Sequence, residues 1–152
     1  MDRATASILL VEDDLNDVTL TQLAFEQARF TNPLQVVNDG EEAIAYLGGT
    51  PPFSDRRRYP MPVLVLLDLK LPRRSGFDVL SWVRGAPNVR RVPVVVLTSS
   101  QQSPDISRAY DAGANSYLVK PVAFESLLAL VRTVGLYWIM TNEGPAISEG
   151  ES

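Results

Sequence analysis

A chain of 152 residues, 45% hydrophobic and 21% charged with a net charge of −4, has the size and balance of one globular domain. The negative charge offers no general attraction for nucleic acid or an anionic membrane, and a domain of this length needs no covalent staple to fold. Cysteine and histidine are both absent, which excludes disulfides, thiolate catalysis, a His-ligated zinc, a Ser-His-Asp triad and a phosphohistidine on this chain.

Met1–Ser7 carries no apolar signal core, and no apolar run approaches about 18 residues, so the chain reads as cytoplasmic. Ile8–Val11 is a short, wholly apolar run that ends in Glu12-Asp13. Asp14 or Asn16 then suits the N-cap of a first helix, whose apolar stripe is Leu20, Leu23, Ala24 and Ala28. Leu34–Val37 is a weaker strand candidate. Val63–Leu67 ends in Asp68, and Val92–Leu97 ends in Thr98-Ser99-Ser100. Ser116–Val119, a second weaker strand, ends in Lys120-Pro121. A last helix runs from about Ala123 to Met140, with Phe124, Leu127, Leu128, Val131, Val134 and Trp138 on one stripe. Continuous apolar runs suit strands buried on both faces, as parallel strands are. Five strands alternating with five helices imply a doubly wound α/β fold.

In such a sheet, ligands bind outside the carboxyl ends of the strands. Glu12, Asp13, Asp68, Thr98 and Lys120 all stand at strand ends, so the fold brings them together although they are far apart in sequence. Three carboxylates at one sheet edge repel one another unless a cation is present. A magnesium ion, which takes about six oxygen ligands, fits that set. Asp13 and Asp68 are its candidate direct ligands, Glu12 binds directly or through water, and the backbone carbonyl of Lys70 is a further candidate. Asp68 is a candidate nucleophile toward a phosphoryl donor. Lys120 would neutralise charge on the transferred group, and the Thr98 hydroxyl would donate to it. Singly, each feature has a plainer reading: an acid after a strand caps a helix, Lys-Pro makes a turn, and Thr ends a strand. Together, on separate apolar runs, they are hard to explain as caps.

These pieces resemble the response regulator receiver family from roughly Ser7 to Arg132. The matching stretches are ILLVEDD (Ile8–Asp14), LLDLKLP (Leu66–Pro72), SGFDVL (Ser75–Leu80), VVVLTSS (Val94–Ser100) and AGANSYLVKP (Ala112–Pro121). The resemblance implies a flavodoxin-like sheet with strand order 2-1-3-4-5. It implies that Asp68 is the phosphoacceptor, that Glu12 and Asp13 hold magnesium, and that Lys120 and Thr98 contact the phosphoryl group. It further implies that Tyr117 is the switch aromatic, rotating inward from solvent as Thr98 moves, and that the Lys120–Pro121 bond is cis. Lys70 and Ser100 match two positions that tune dephosphorylation. The upstream partner would be a sensor histidine kinase, and the chain's own reactions would be self-phosphorylation and self-dephosphorylation only.

Two regions depart from the family average. Asp13 and Asp68 lie 55 positions apart (68 − 13), and the excess falls in Gly48–Pro62, GGTPPFSDRRRYPMP. That segment reads either as a solvated loop or as a docking element for the kinase, and it resembles the small regulators paired with bacterial and cyanobacterial phytochromes. In the last helix, Leu130, Leu136, Tyr137, Ile139 and Met140 lie largely off the core stripe. A helix apolar nearly all round must be covered. A homodimer through α4-β5-α5 or the extended last helix is the simplest cover, and a tail folded back on its own domain is the alternative. Thr141–Ser152, small, polar and acidic, reads as a flexible tail after a single domain spanning residues 1–140.

Two rival functions belong to other classes. A haloacid-dehalogenase-type phosphotransferase also uses an Asp after a strand, but wants a second Asp two positions on, where this chain has Lys70. A degenerate receiver would bind partners without phosphorylation, yet every site position here carries a competent residue. The chain is expected to carry no DNA-binding module.

Overall fold

The computed structural model describes residues 6–141. Five strands, β1 (Ile8–Val11), β2 (Leu34–Val37), β3 (Leu64–Leu67), β4 (Val94–Thr98) and β5 (Ser116–Val119), pair in parallel in the order β2-β1-β3-β4-β5. Five helices connect or follow them: α1 (Leu15–Gln27), α2 (Gly40–Gly48), α3 (Gly76–Gly85), α4 (Ser103–Ala112) and α5 (Phe124–Val134). A π-helical segment, Gly135–Thr141, continues α5. The doubly wound sheet expected from the sequence is the one observed. The expected acidic tail lies outside the described residues apart from the Thr141 backbone, and so does the Met140 side chain.

The central strands are buried on both faces, and alternation divides their side chains between two cores. Leu9, Val11, Val65, Leu67, Val94 and Val96 pack with Ala43, Tyr46, Leu47, Val79, Leu80, Val83 and Ala109 of α2, α3 and α4. Ile8, Leu10, Leu64, Leu66 and Val95 pack with Val18, Ala24 and Phe25 of α1 and with Leu127, Val131 and Val134 of α5. The chain winds outward from β1 to β2, then returns past β1 to β3. The strand order therefore reverses between β1 and β3, and a crevice opens at their carboxyl ends.

Several local expectations shift. β3 starts at Leu64 and β4 at Val94, each later than the apolar runs suggest. Pro93 has no N–H for a ladder, and the Val94 N–H donates to the Asn115 side chain at 2.8 Å. Asp14, not Asn16, caps α1, accepting from the N–H groups of Asn16 (2.9 Å) and Asp17 (3.2 Å). The buried face of α1 is Val18, Thr21, Ala24 and Phe25, and Leu23 is exposed. A stripe drawn from few, weakly apolar residues fixes a helix face only to about one position. The packing of α1 against α5 selects the rest.

Gly49–Val63 is a loop tied down at several points, although Thr50, Pro51, Pro52, Ser54, Asp55, Arg57 and Arg58 are exposed. Tyr46, Phe53 and Tyr59 form an aromatic cluster with centroids 5.1–5.9 Å apart. Arg56 turns inward and donates to the carbonyls of Tyr46 (2.8 Å), Leu47 (2.9 Å) and Tyr59 (3.0 Å). It thereby supplies donors to two of the last carbonyls of α2, Tyr46 and Leu47, beside the Gly49 and Thr50 N–H groups that reach Tyr46 and Ala45. Arg57 and Arg58 point outward. A second guanidinium, Arg84, joins α3 to the α4–β5 corner. It donates to the carbonyls of Gly113, Arg90 and Val92 and to the Asn115 side chain, at 2.7–2.9 Å.

At the end of the chain, Ile139 is buried rather than part of the apolar surplus. Val134 and Ile139 are five apart, which sets them on different faces of an α-helix. The wider π turn, with i to i+5 bonding, returns both to the core. Gly135 permits this: a Cβ there would lie 2.1 Å from Cζ of Phe30. Leu136 (59% exposed) and Tyr137 (53%) remain on the outside.

Two stability outcomes follow from these contacts. Gly135→Ala drives a methyl into the Phe30 ring and should cost about 1–3 kcal/mol in urea unfolding; an unchanged midpoint would show that the C-terminal segment does not pack on Phe30. Arg84→Lys keeps the charge but loses the fork, so at least about 2 kcal/mol should be lost.

Candidate functional site

The crevice between β1 and β3 is built by strand ends. β1 delivers Glu12 and Asp13, β3 delivers Asp68, β4 ends on Thr98, and Lys120 follows β5. Register holds them level: Val11 pairs with Leu67, and Thr98 with Val119. The Asp68 N–H donates to the Val11 carbonyl (3.1 Å), and the Lys120 N–H donates to the Thr98 carbonyl (2.7 Å). Carboxylate oxygens of Glu12, Asp13 and Asp68 lie within 4.8 Å of one another. Glu12 is buried, Asp68 half-buried and Asp13 exposed.

Asp68 is oriented from two sides. Its Oδ1 accepts from the Leu69 N–H at 2.7 Å and more distantly from the Lys70 N–H at 3.5 Å. Its Oδ2 faces the Lys120 ammonium at 3.4 Å. The backbone behind it is crowded: a Cβ on Gly76 would fall 2.4 Å from the Asp68 carbonyl oxygen, so only glycine lets α3 start this close. Ser75 caps α3 by accepting from the Asp78 N–H (3.2 Å).

Lys120 is the sole cation in contact with this cluster among the described residues. Its Nζ donates to Glu12 Oε1 in a short contact, to Asp17 Oδ2 at 2.9 Å and to Asp68 Oδ2 at 3.4 Å. Burial alone would lower its pKa, but the bonds to Glu12 and Asp17 and the charge of Asp68 outweigh it and hold the ammonium above the ordinary lysine range. Glu12 responds to the same site in the opposite sense. Burial pushes its carboxyl up to about 7 despite the Lys120 hydrogen bond, with the charge of Asp68 adding to the rise.

On the β4 side, Thr98 is buried, and its Oγ1 accepts weakly from the Ser100 N–H at 3.5 Å. Ser100 donates its hydroxyl to Asp105 Oδ2 of α4 at 2.6 Å. Tyr117 is half-buried, and its hydroxyl donates to the Ser100 carbonyl at 3.0 Å, so this ring already lies against the β4–α4 loop. Lys70 is exposed. The Lys120–Pro121 bond is trans; the one cis peptide among the described residues is Pro51–Pro52. The two forms of an X-Pro bond differ by only about 0.5–1 kcal/mol, so local packing decides between them.

Two residues of the site were not singled out from the sequence. Asp17 and Asp105 stand in the first turns of α1 and α4, where an acid is expected merely to favour the helix N-terminus. Only the fold aims Asp17 at Lys120 and Asp105 at Ser100.

The response regulator receiver domain model matches residues 8–132. The probable methanogenesis regulatory protein FilR2 of Methanothrix harundinacea is 40% identical over 138 residues, 91% of this chain and 86% of that protein. Response regulator Rcp1 of Synechocystis sp. is 34% identical over 91% of this chain and 92% of its own length, and its Mn(2+)-bound crystal structure superposes with a TM-score of 0.82. The phosphorylated cyanobacterial phytochrome response regulator RcpA superposes with a TM-score of 0.86 at 34% identity, covering 93% of this chain and 99% of that one. With the sheet order, the acidic crevice and a match that spans most of its length, this chain belongs to the response regulator receiver family and is a response regulator of two-component signalling.

Proposed function

We propose that a sensor histidine kinase of the phytochrome type phosphorylates this chain on Asp68 in the cytoplasm, and that the modified domain signals through its α4-β5-α5 face. The observation that carries this reading is the meeting of Glu12, Asp13 and Asp68 with the Lys120 ammonium at one sheet edge. The likeness to RcpA, described as a phytochrome response regulator, supports the choice of kinase.

The donor set suits a hard divalent cation: three carboxylates converge, and the sequence has no thiol or imidazole to compete. Glu12, Asp13 and Asp68, with the Lys70 backbone carbonyl, would hold magnesium, whose charge offsets the carboxylates and the phosphoryl oxygens. Asp68 attacks the phosphorus of the kinase phosphohistidine. An oxygen–phosphorus bond forms, the nitrogen–phosphorus bond breaks, and the imidazole leaves with the electron pair. Lys120 donates to an equatorial oxygen, and the Thr98 hydroxyl supplies a second donor. Phosphorylation adds nearly two negative charges at Asp68. Drawing Thr98 toward them shifts the β4–α4 loop, which Tyr117 and Asp105 tie to β5 and α4. Lys70 and Ser100 tune the lifetime of the phosphate, and attack of water on it is the other reaction the domain promotes. The exposed Leu136 and Tyr137 suit a homodimer through α4-β5-α5 or the extended α5. The ordered 48–62 loop, with Arg57 and Arg58 outward, suits kinase docking.

Incubation with candidate kinases and labelled ATP should label the chain, and Asp68→Asn should remove the label. Label retained by Asp68→Asn would refute the acceptor. Divalent-cation binding should depend on pH in one direction. Glu12 in the folded, cation-free protein titrates near 7 rather than its ordinary 4.5. Below about 7 a cation must displace its proton, so affinity climbs with pH and levels off above 7. Equal magnesium affinities at pH 5.5 and 7.5 by calorimetry would contradict the placement of Glu12 in the ligand set.

A further inference from the structure

We infer that Asp17 is a positioning residue that tethers Lys120 in the resting state and releases it when Asp68 carries a phosphoryl group; this rests on Asp68 being the acceptor. An ammonium has three N–H donors. Here they meet Glu12 Oε1, Asp17 Oδ2 and Asp68 Oδ2, so no donor is left for an incoming phosphoryl oxygen. One carboxylate must give up its bond. Asp68 has the longest contact, 3.4 Å against 2.9 Å for Asp17, so Lys120 rests nearer α1 than the reacting group.

The three acceptors differ in how readily they let go. The Glu12 side chain is 3% exposed, and an unpaired charge there is costly. Asp68 is the group that reacts. The Asp17 side chain is 36% exposed, so water can take over its carboxylate when Lys120 leaves. It is also the only one of the three outside the carboxylate cluster suited to a cation. Asp17 therefore holds the ammonium oriented without occupying the crevice. It also sets a small barrier: each transfer onto Asp68 must break the Asp17 bond before Lys120 serves the phosphoryl oxygen.

The test uses the whole chain and begins without metal. The sequence contains two lysines, Lys70 and Lys120, so 15N-lysine labelling yields two Nζ resonances. Asp17→Asn should shift the Lys120 resonance and speed its hydrogen exchange, leave Lys70 unmoved, and be largely reversed by Asp17→Glu. With magnesium and saturating acetyl phosphate, Asp68 attacks phosphorus and acetate leaves. Asp17→Asn should raise the first-order labelling rate roughly two- to fivefold, the scale of a partly exposed ion pair, and Asp17→Glu should return it toward wild type. An unmoved Lys120 resonance, or a labelling rate equal to or below wild type, overturns the tether. If the wild-type chain takes up no label at all, the reading of Asp68 as acceptor fails, and the metal-free resonances alone decide whether Asp17 holds Lys120.

Discussion

One ammonium, Lys120, stands against Glu12, Asp17 and Asp68, with Asp13 completing the acidic edge. Most of the chain's chemistry depends on that imbalance. Burial works against the charges of Lys120 and Glu12, and for Lys120 the contacts with Glu12, Asp17 and Asp68 outweigh it. Glu12 bears the cost, since its carboxyl is pushed up to about 7 in a buried position. A sheet edge selected for stability alone would not gather four acids around one lysine. The excess negative charge is what suits the site to a divalent cation.

That cluster can exist only because the rest of the sheet holds it rigidly. β1, β3 and β4 have apolar residues on both faces, so their register is fixed by two cores at once. The polar ends then emerge level with one another. The glycine that opens α3 lets that helix start against the Asp68 backbone, fixing that residue from behind. Farther out, two guanidiniums organise the loops by donating to backbone carbonyls: Arg56 closes α2 and orders the long loop, and Arg84 pins the α4–β5 corner. Both tie irregular backbone without adding an acid that would compete for Lys120.

The β4–α4 loop connects the site to the outer face. Ser100 bonds Asp105 through its hydroxyl and receives Tyr117 through its carbonyl. Ser100, two residues after Thr98, therefore ties the end of β4 to α4 and β5 together. Leu136 and Tyr137 are exposed beyond α5, while the π turn recovers Ile139 for the core.

The sequence by itself determined the strands, their parallel arrangement and the five polar residues at their ends. Runs such as ILLV and LVLL leave no polar face, and a polar residue ending such a run must emerge at the sheet edge. It also marked the long loop and the apolar C-terminal helix as departures. What it could not determine depends on contacts between elements distant in the chain. Local spacing carries no sign that Asp17 reaches Lys120, that Asp105 holds Ser100, or that Arg56 turns inward while Arg57 and Arg58 turn out. The face of α1, the trans Lys120–Pro121 bond and the recovery of Ile139 are of the same kind. Each is a choice between local states of similar energy, and the packing of one element on another makes it.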